Sequence, residues 1–512
     1  MKLLTDQPAD KRFVTSVLAL CALSGVFTSA WCLYIDDVIN NDGVEYIRAA
    51  QHLASGDWAG TLASHHWPFF SLLMLLFGKL LGISYYWAGQ LLNAGFFTAS
   101  SVLFVLVVRA FGGTSQRLTV FAALVAVIHP AFNEYRAFII RDAGYLVFYL
   151  AAILYLARCV NESAWRYRIG VVVAFAIAGL FRIEGTVFLL STPLLLSFIQ
   201  STSVQKPWFR LLLLIISTGL VAVVLGWWLL VPSAGIEPVA AFSAPLDLVA
   251  NAWQQISASV AHKITVLRKE FLGPYAAQYA WILFGFSVVM ILVSAAFSQL
   301  TVPWALLVFT GLWSGVCFPH KALNRLWASL IGMHLAILTV FAVVKLFLAA
   351  RYPLALSVTV LLLVPFALEH VLAAIRWHRL KTTARVLAVL LLLWGVGESI
   401  SGLDNTTRAR AIKDAGVWLA DHTNTAGSLV SNDRRLAYYA GRHADRDYII
   451  EDVAKILHGL RDGRWPDASY VALRLSRRSD KTESWVVEAL GKAPVRVFDR
   501  ETGDRVLVYQ RP

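Results

Sequence analysis

The chain has 512 residues, 58% of them hydrophobic and 15% charged, where soluble domains run at about 45–50% apolar and about 25% charged. That balance excludes a soluble enzyme and a disordered chain. The net charge of +13 would indicate nucleic acid only if the basic residues clustered on one soluble face; they do not, and no nucleic-acid partner is expected.

Charge is unevenly spread. Residues 401–512 hold 19 Lys and Arg against 16 Asp and Glu, leaving 26 against 16 for residues 1–400. The front reads as a membrane region whose sparse positive charge marks cytoplasmic loops, and the back as a water-soluble domain. The four cysteines (Cys21, Cys32, Cys159, Cys317) lie in or beside apolar segments without a CxxC or zinc spacing and read as packing residues.

In chain order, the polar start is followed by an apolar run over 13–34, long enough to span and without a clean cleavage site. Further apolar segments fall near 68–83, 86–108, 118–132, 143–158, 169–181, 185–199, 211–231, 278–297, 302–318, 326–348, 353–375 and 386–400. These predict an α-helical polytopic membrane protein of about 11 to 13 transmembrane helices over residues 1–400, with a small α/β soluble domain over 401–512. Basic loops at Arg109/Arg117, Arg158/Arg166/Arg168, Lys206/Arg210 and Arg376/Arg379/Lys381/Arg385 are expected inside. For the first two to share the side of the N-terminus, the 68–83 segment must not cross fully. Loops 35–67 and 232–275 then fall outside. Helix parity puts the soluble tail inside, whereas the last basic loop puts it outside; the local charges are the stronger guide and place it in the periplasm. Strands are expected at 428–430, 470–475, 495–498 and 506–509, with helices near 407–421 and 451–460.

The most informative stretch is the first outer loop. From Asp36 to Asp57 it carries five carboxylates (Asp36, Asp37, Asp42, Glu45, Asp57) against Arg48 alone. Acid crowded beside a membrane marks a site, or else a solvated loop short of Lys and Arg. Asp42, with Tyr46 four residues on, then Gly56-Asp57-Trp58 and a Trp67-Pro68-Phe69-Phe70 that opens an apolar helix ending Phe77-Gly78, resembles the GT-C superfamily of polyprenyl-phosphate-sugar-dependent glycosyltransferases. The branch holding the aminoarabinose transferase of lipid A and the bacterial relatives of protein O-mannosyltransferases is the most similar. Arg136-Ala-Phe-Ile-Ile-Arg141-Asp142, Arg182-Ile-Glu184-Gly and Arg351-Tyr352-Pro353 follow in the family's order. Two departures stand out: Asp42 is followed by Gly43 where the family commonly has a second acid, and His66-Trp67-Pro68 stands where some relatives have Lys-Pro-Pro or His-Pro-Pro.

The resemblance implies an inverting glycosyltransferase of a bacterial inner membrane, multi-pass, with its site facing the periplasm. Its partners would be a polyprenyl-phosphate-linked sugar donor, a lipid-linked glycan, lipid A or protein acceptor, and membrane lipids. Asp42 would be the catalytic base, with Asp36 and Asp37 beside it; as an Asp it also suits a helix N-cap. Arg141, Arg182 and Arg351, with His66 and Lys269, are candidates for the departing phosphate, since a guanidinium matches phosphate bidentately. Pairing with Asp142 or Glu184, or snorkelling at a helix end, is the competing role of the arginines. Asp142, Glu184, Tyr46 and Tyr352 would support the site. Clustered carboxylates suit Mg or Mn, so Asp36, Asp37 and Asp42 are also a candidate metal set; no organic cofactor is expected. A transporter or flippase, or a polysaccharide ligase or polymerase, is the alternative reading. A transporter predicts mid-helix charges and an inverted repeat, whereas here the charges sit mostly at helix ends.

Overall fold

Apolar length decides which segments become long helices. In the computed structural model, which describes residues 7–162, 164–199, 254, 257–376, 382–401, 410–422, 428–442, 448–450, 452–475, 480–499 and 504–510, six helices are long and apolar enough to cross a membrane: Lys11–Ile35, Tyr85–Ala110, Asp142–Asn161, Ala277–Leu300, Lys321–Lys345 and Leu354–Ala374. Shorter apolar helices lie at Phe69–Leu81, Gln116–Ile128, Ile183–Leu196 and Val302–Trp313. The α-helical polytopic class is therefore present, with a small mixed sheet in the tail. The expected span 211–231, the basic pairs Lys206/Arg210 and Arg379/Lys381, and residues 232–253 of the second outer loop lie outside the described residues.

The front helices run α1 (Lys11–Ile35), α2 (Asn41–Ala54), α3 (Trp58–Ser64), α4 (Phe69–Leu81), α5 (Tyr85–Ala110), α6 (Gln116–Ile128), α7 (Asp142–Asn161), α8 (Trp165–Phe181) and α9 (Ile183–Ile199). At 13 residues, α4 is only about 20 Å long, too short for a hydrocarbon core of about 30 Å. It ends at Gly82, whose φ of 64° is left-handed, a conformation glycine adopts without a Cβ penalty.

The described chain divides into two compact units. One comprises Met1–Thr28, Ala94–Tyr135 and Arg141–Leu403, and the other Ser29–Asn93, Arg136–Ile140 and Asp404–Pro512. In the first, α8 and α9 fold back on each other at Arg182. The turn depends on Gly185, because a Cβ there would stand 2.3 Å from the backbone nitrogen of Gly179. In the second, the C-terminal tail and the acidic loop at 35–67 form one body.

The tail is built on a four-stranded sheet of β1 (Ser428–Ser431), β2 (Ala468–Leu475), β3 (Arg496–Phe498) and β4 (Arg505–Gln510), in the order β1-β2-β4-β3. β1 runs parallel to β2, while β4 is antiparallel to both β2 and β3. Successive side chains alternate faces. Val471, Leu473, Leu475, Leu507 and Tyr509 enter one core with Ile456 and Leu457 of the helix Val453–Arg461. Ala472, Val506 and Val508 enter the other with Ile412, Ala415 and Leu419 of the helix Arg410–His422 and Leu436 of the helix Arg434–Tyr439. A sheet apolar on both faces requires helices on both, which is why the tail's helices divide between them. Leu473→Ala should cost about 2–5 kcal/mol, read as lost hydrogen-exchange protection of the β2 and β4 amides in the intact chain; unchanged protection would contradict this packing.

Candidate active site

Two groups of charged side chains, one in each unit, account for most of the residues singled out in the sequence. The first is the acidic loop. Asn40 takes the N-cap position of α2, and its amide is turned to the extended segment before α7: Asn40 donates to the Ile139 carbonyl at 3.2 Å and accepts from the Ile139 N–H at 2.8 Å. The same segment, without regular structure, is held by Gln90 and Asn93 of α5, which donate to the carbonyls of Ala137 and Phe138. Three side-chain amides thereby satisfy a backbone that has no ladder of its own. Arg136, at its start, is 1% exposed and donates to Ser29 Oγ at 2.8 Å.

Asp42 stands second in α2, inside the first turn, so it is not the N-cap that its residue type suggested. Its carboxylate is half-buried, where the helix dipole favours negative charge. The departure at Gly43 has a steric cause: a Cβ would stand 2.8 Å from Asn40 Oδ1, 3.0 Å from Ile39 and 3.2 Å from Ile139. A second acid after Asp42 would push apart the contacts that seat the loop.

The loop's other carboxylates are met by the tail. Lys413 donates to Asp37 Oδ2 at 2.5 Å, and Arg434 to Glu45 Oε1 at 3.0 Å. The Tyr439 hydroxyl accepts from the Ile39 N–H at 2.8 Å and donates to the Asp37 carbonyl at 3.3 Å. Asp36 is half-buried, and its carboxyl is raised above its ordinary range by burial, partly offset by the Val38 N–H bonded to it. Asp57 has a local role: it caps α3 through the Gly60 N–H at 2.8 Å and pairs with His52 at 2.8 Å.

The tail's grip rests on one buried carboxylate. Asp433 caps the helix Arg434–Tyr439 by accepting the Arg435 N–H at 3.0 Å. Its two oxygens also take the guanidinium groups of Arg435, at 2.7 Å, and of Arg474 on β2, at 3.0 Å. Burial works to raise the Asp433 carboxyl, but these hydrogen bonds and positive charges prevail and hold it below the ordinary aspartate range. Thus the helix that carries Arg434 and Tyr439 is fixed to the sheet.

The second group centres on Arg182, at the C-cap of α8 and 8% exposed. It is paired with Asp142, itself 4% exposed, and its Nε bonds both oxygens of Glu184 at 3.1 Å. The rings of Tyr352 and Tyr145 face the guanidinium at 5.1 Å and 5.8 Å, within cation–π range. Arg351 Nε lies 4.0 Å from Asp142. Arg141 occupies the N-cap position of α7, is half-exposed, and forms no ion pair among the described residues.

Of the remaining named residues, Tyr46 shares α2 with Asp42 and Glu45. Tyr46, 2% exposed, packs its ring on His65 and Phe70 at 4.6 Å and 5.2 Å and is a core residue. His66 and Lys269 are exposed. As for a metal, no three His, Cys, Asp or Glu side chains come together among the described residues. Asp36, Asp37 and Asp42 do not come together as such a set, and Asp37 is paired with Lys413.

No family model matches the sequence, and no curated protein matches it. Solved structures do. Archaeoglobus fulgidus oligosaccharyltransferase, tethered to an acceptor peptide containing the NVT sequon, aligns with 94% of this chain and 71% of its own, at 14% identity and a TM-score of 0.54. The same oligosaccharyltransferase in complex with Zn and sulfate aligns over 93% and 70%, at 14% identity and a TM-score of 0.53. ArnT from Cupriavidus metallidurans in the apo state aligns over 96% and 98%, at 15% identity and a TM-score of 0.54. The chain shares the fold of these solved structures.

What the sequence left hidden is the contribution of the tail: Lys413, Asp433, Arg434 and Tyr439. A signal was present in Asp433-Arg434-Arg435, an N-cap followed by two cations and then Tyr438-Tyr439 one turn later. Asp433→Asn keeps the cap oxygen but removes the charge, and should destabilise the Arg434–Tyr439 helix by roughly 1.5–3 kcal/mol at neutral pH. Because the folded carboxyl is held below its ordinary range, this stabilisation is full above the ordinary value of 3.8 and is lost as pH falls through the folded value. Hydrogen exchange over residues 434–439 should therefore separate wild type from variant at pH 7, with the gap closing below 3.8. A gap that widened with acid would contradict the assignment.

Proposed function

We propose that the chain is an integral membrane glycosyltransferase that moves a sugar from a polyprenyl-phosphate donor to a lipid-linked glycan, lipid A or protein acceptor at the periplasmic face of a bacterial inner membrane. The observation that carries this reading is Asp42: a half-buried carboxylate in the first turn of α2, on a loop held from both sides, with the N-cap position taken by Asn40. The GT-C fold supports it.

In this mechanism the acceptor hydroxyl oxygen attacks the anomeric carbon as the bond from that carbon to the donor phosphate oxygen breaks. The proton passes to the Asp42 carboxylate, and the electron pair leaves with the phosphate. A single displacement inverts the anomeric centre. Asp37 and Glu45 hold the loop to the tail through Lys413 and Arg434. The leaving phosphate is assigned to Arg141 and Arg351. Arg182 is already neutralised by two carboxylates and acts as the scaffold that keeps Asp142, Glu184 and Tyr352 in place. No step is routed through a metal, because the carboxylates of the loop do not form a ligand set.

The bonds of Asp37 and Glu45 to Lys413 and Arg434 support placing the acidic loop and the tail on one side of the membrane, and the local charges at 376–385 support the periplasmic side for both.

Purified full-length protein given polyprenyl-phosphate sugars tests the assignment. Asp42→Asn should lower sugar transfer by about 10²–10⁴-fold. Arg141→Ala should slow release of polyprenyl phosphate more than it changes thermal stability. Release by Asp42→Asn as fast as by wild type would remove Asp42 from the base role.

A further inference from the structure

The unit that holds the acidic loop also holds a groove of about 670 Å³, lined among others by Gln51, Lys79, Tyr85, Tyr86, Tyr438 and Tyr439. Neither the base nor the phosphate arginines line it. Its volume lies within the roughly 300–1,000 Å³ of small-ligand sites, but its lining differs from an ordinary apolar pocket: four tyrosines, an amide and one ammonium share it with the Gly82–Ser84 turn.

Each part of the wall is independently fixed. Tyr439 is oriented by its hydroxyl, which accepts the Ile39 N–H, and Tyr438 meets it edge to face at 5.3 Å. Across the groove, the Tyr85 ring packs so closely on Gly78 that a Cβ there would stand 3.1 Å away. The Gly82 turn ends α4 just before α5 begins at Tyr85. Such a wall offers flat apolar ring faces interleaved with hydroxyl, amide and ammonium hydrogen-bonding groups. It matches a ligand with apolar C–H faces and hydroxyl edges, and an aromatic ring with a polar tip serves both.

We infer that this groove binds a saccharide, and that it is the subsite for the glycan portion of the acceptor. The inference rests on the glycosyltransferase reading and extends it to the acceptor class. The tail supplies Tyr438 and Tyr439 while also holding the Asp42 loop, so acceptor recognition and loop position share one helix, Arg434–Tyr439. Lys79, the one cation in the wall, suits a saccharide that carries isolated negative charge.

The test uses the full-length protein in nanodiscs and two soluble probes, chitotriose and a trisaccharide bearing one hexuronate, read by saturation-transfer NMR with irradiation of the aromatic protons. Transfer to the sugar C–H protons is expected, with binding about fivefold weaker in Tyr438→Ala and in Gln51→Ala. Gln51 lies exposed on α2, so its variant keeps the test valid should Tyr438→Ala disturb folding. The hexuronate probe should bind more tightly than chitotriose, and Lys79→Ala should remove that difference. Absence of transfer to both probes, or transfer unchanged in both Tyr438→Ala and Gln51→Ala, overturns the site. Displacement of the trisaccharide by a polyprenyl-phosphate sugar overturns the acceptor assignment in favour of the donor. Asp42→Asn should bind the probes as wild type does while losing turnover. Probe binding in a wild type that turns over no donor would sink the glycosyltransferase reading and leave a saccharide site standing.

Discussion

Charge balance in the acidic loop before and within α2 is the constraint on which the rest of the second unit depends. Five carboxylates within Asp36–Asp57 against one arginine would repel one another beside a low-dielectric membrane. The balance is restored from almost 400 residues away, by Lys413 on Asp37 and Arg434 on Glu45, with Tyr439 bonding the loop backbone between them. Exposed ion pairs contribute little on their own; here Glu45 is buried, and the tyrosine adds a directional bond to an N–H that precedes the helix. The outcome is a loop whose position is set jointly by its own helix α2 and by the tail. The sheet and the Asp433 network exist, in this view, to place three side chains.

The first unit obeys the same rule under a stricter penalty. A guanidinium buried in a helical bundle is tolerated only when paired and hydrogen-bonded. Arg182 meets that requirement with two carboxylates and two aromatic faces, and the sharp turn at Gly185 lets Arg182 and Glu184 stand together. With both carboxylates drawn to it, Arg182 stands as the fixed centre of this group, and Arg351 approaches the same Asp142 at 4.0 Å.

Helices and the alternating strands of the tail were legible because each is a local pattern of apolar residues, read at a period of 3.6 or 2. The pairing of Arg182 with Asp142 and Glu184 was open to view as one competing role of the arginines, since the partners are named in the same motifs. Lys413, Arg434 and Tyr439 were not legible as partners of the loop: ion pairs between residues nearly 400 apart leave no periodicity. Asp42 itself shows the limit in small: its type suits a cap, and only the backbone placed Asn40 there instead. The reason for Gly43 was likewise hidden, because it lies in the approach of Ile139, remote in sequence.

That the tail holds the Asp42 loop is most directly measured at one amide. Hydrogen exchange at Ile39 in the full-length protein should quicken about fivefold to tenfold when Tyr439→Phe removes the hydroxyl that accepts its N–H, and further when Lys413→Ala is added. Exchange at Ile39 unchanged in the double variant would contradict the account.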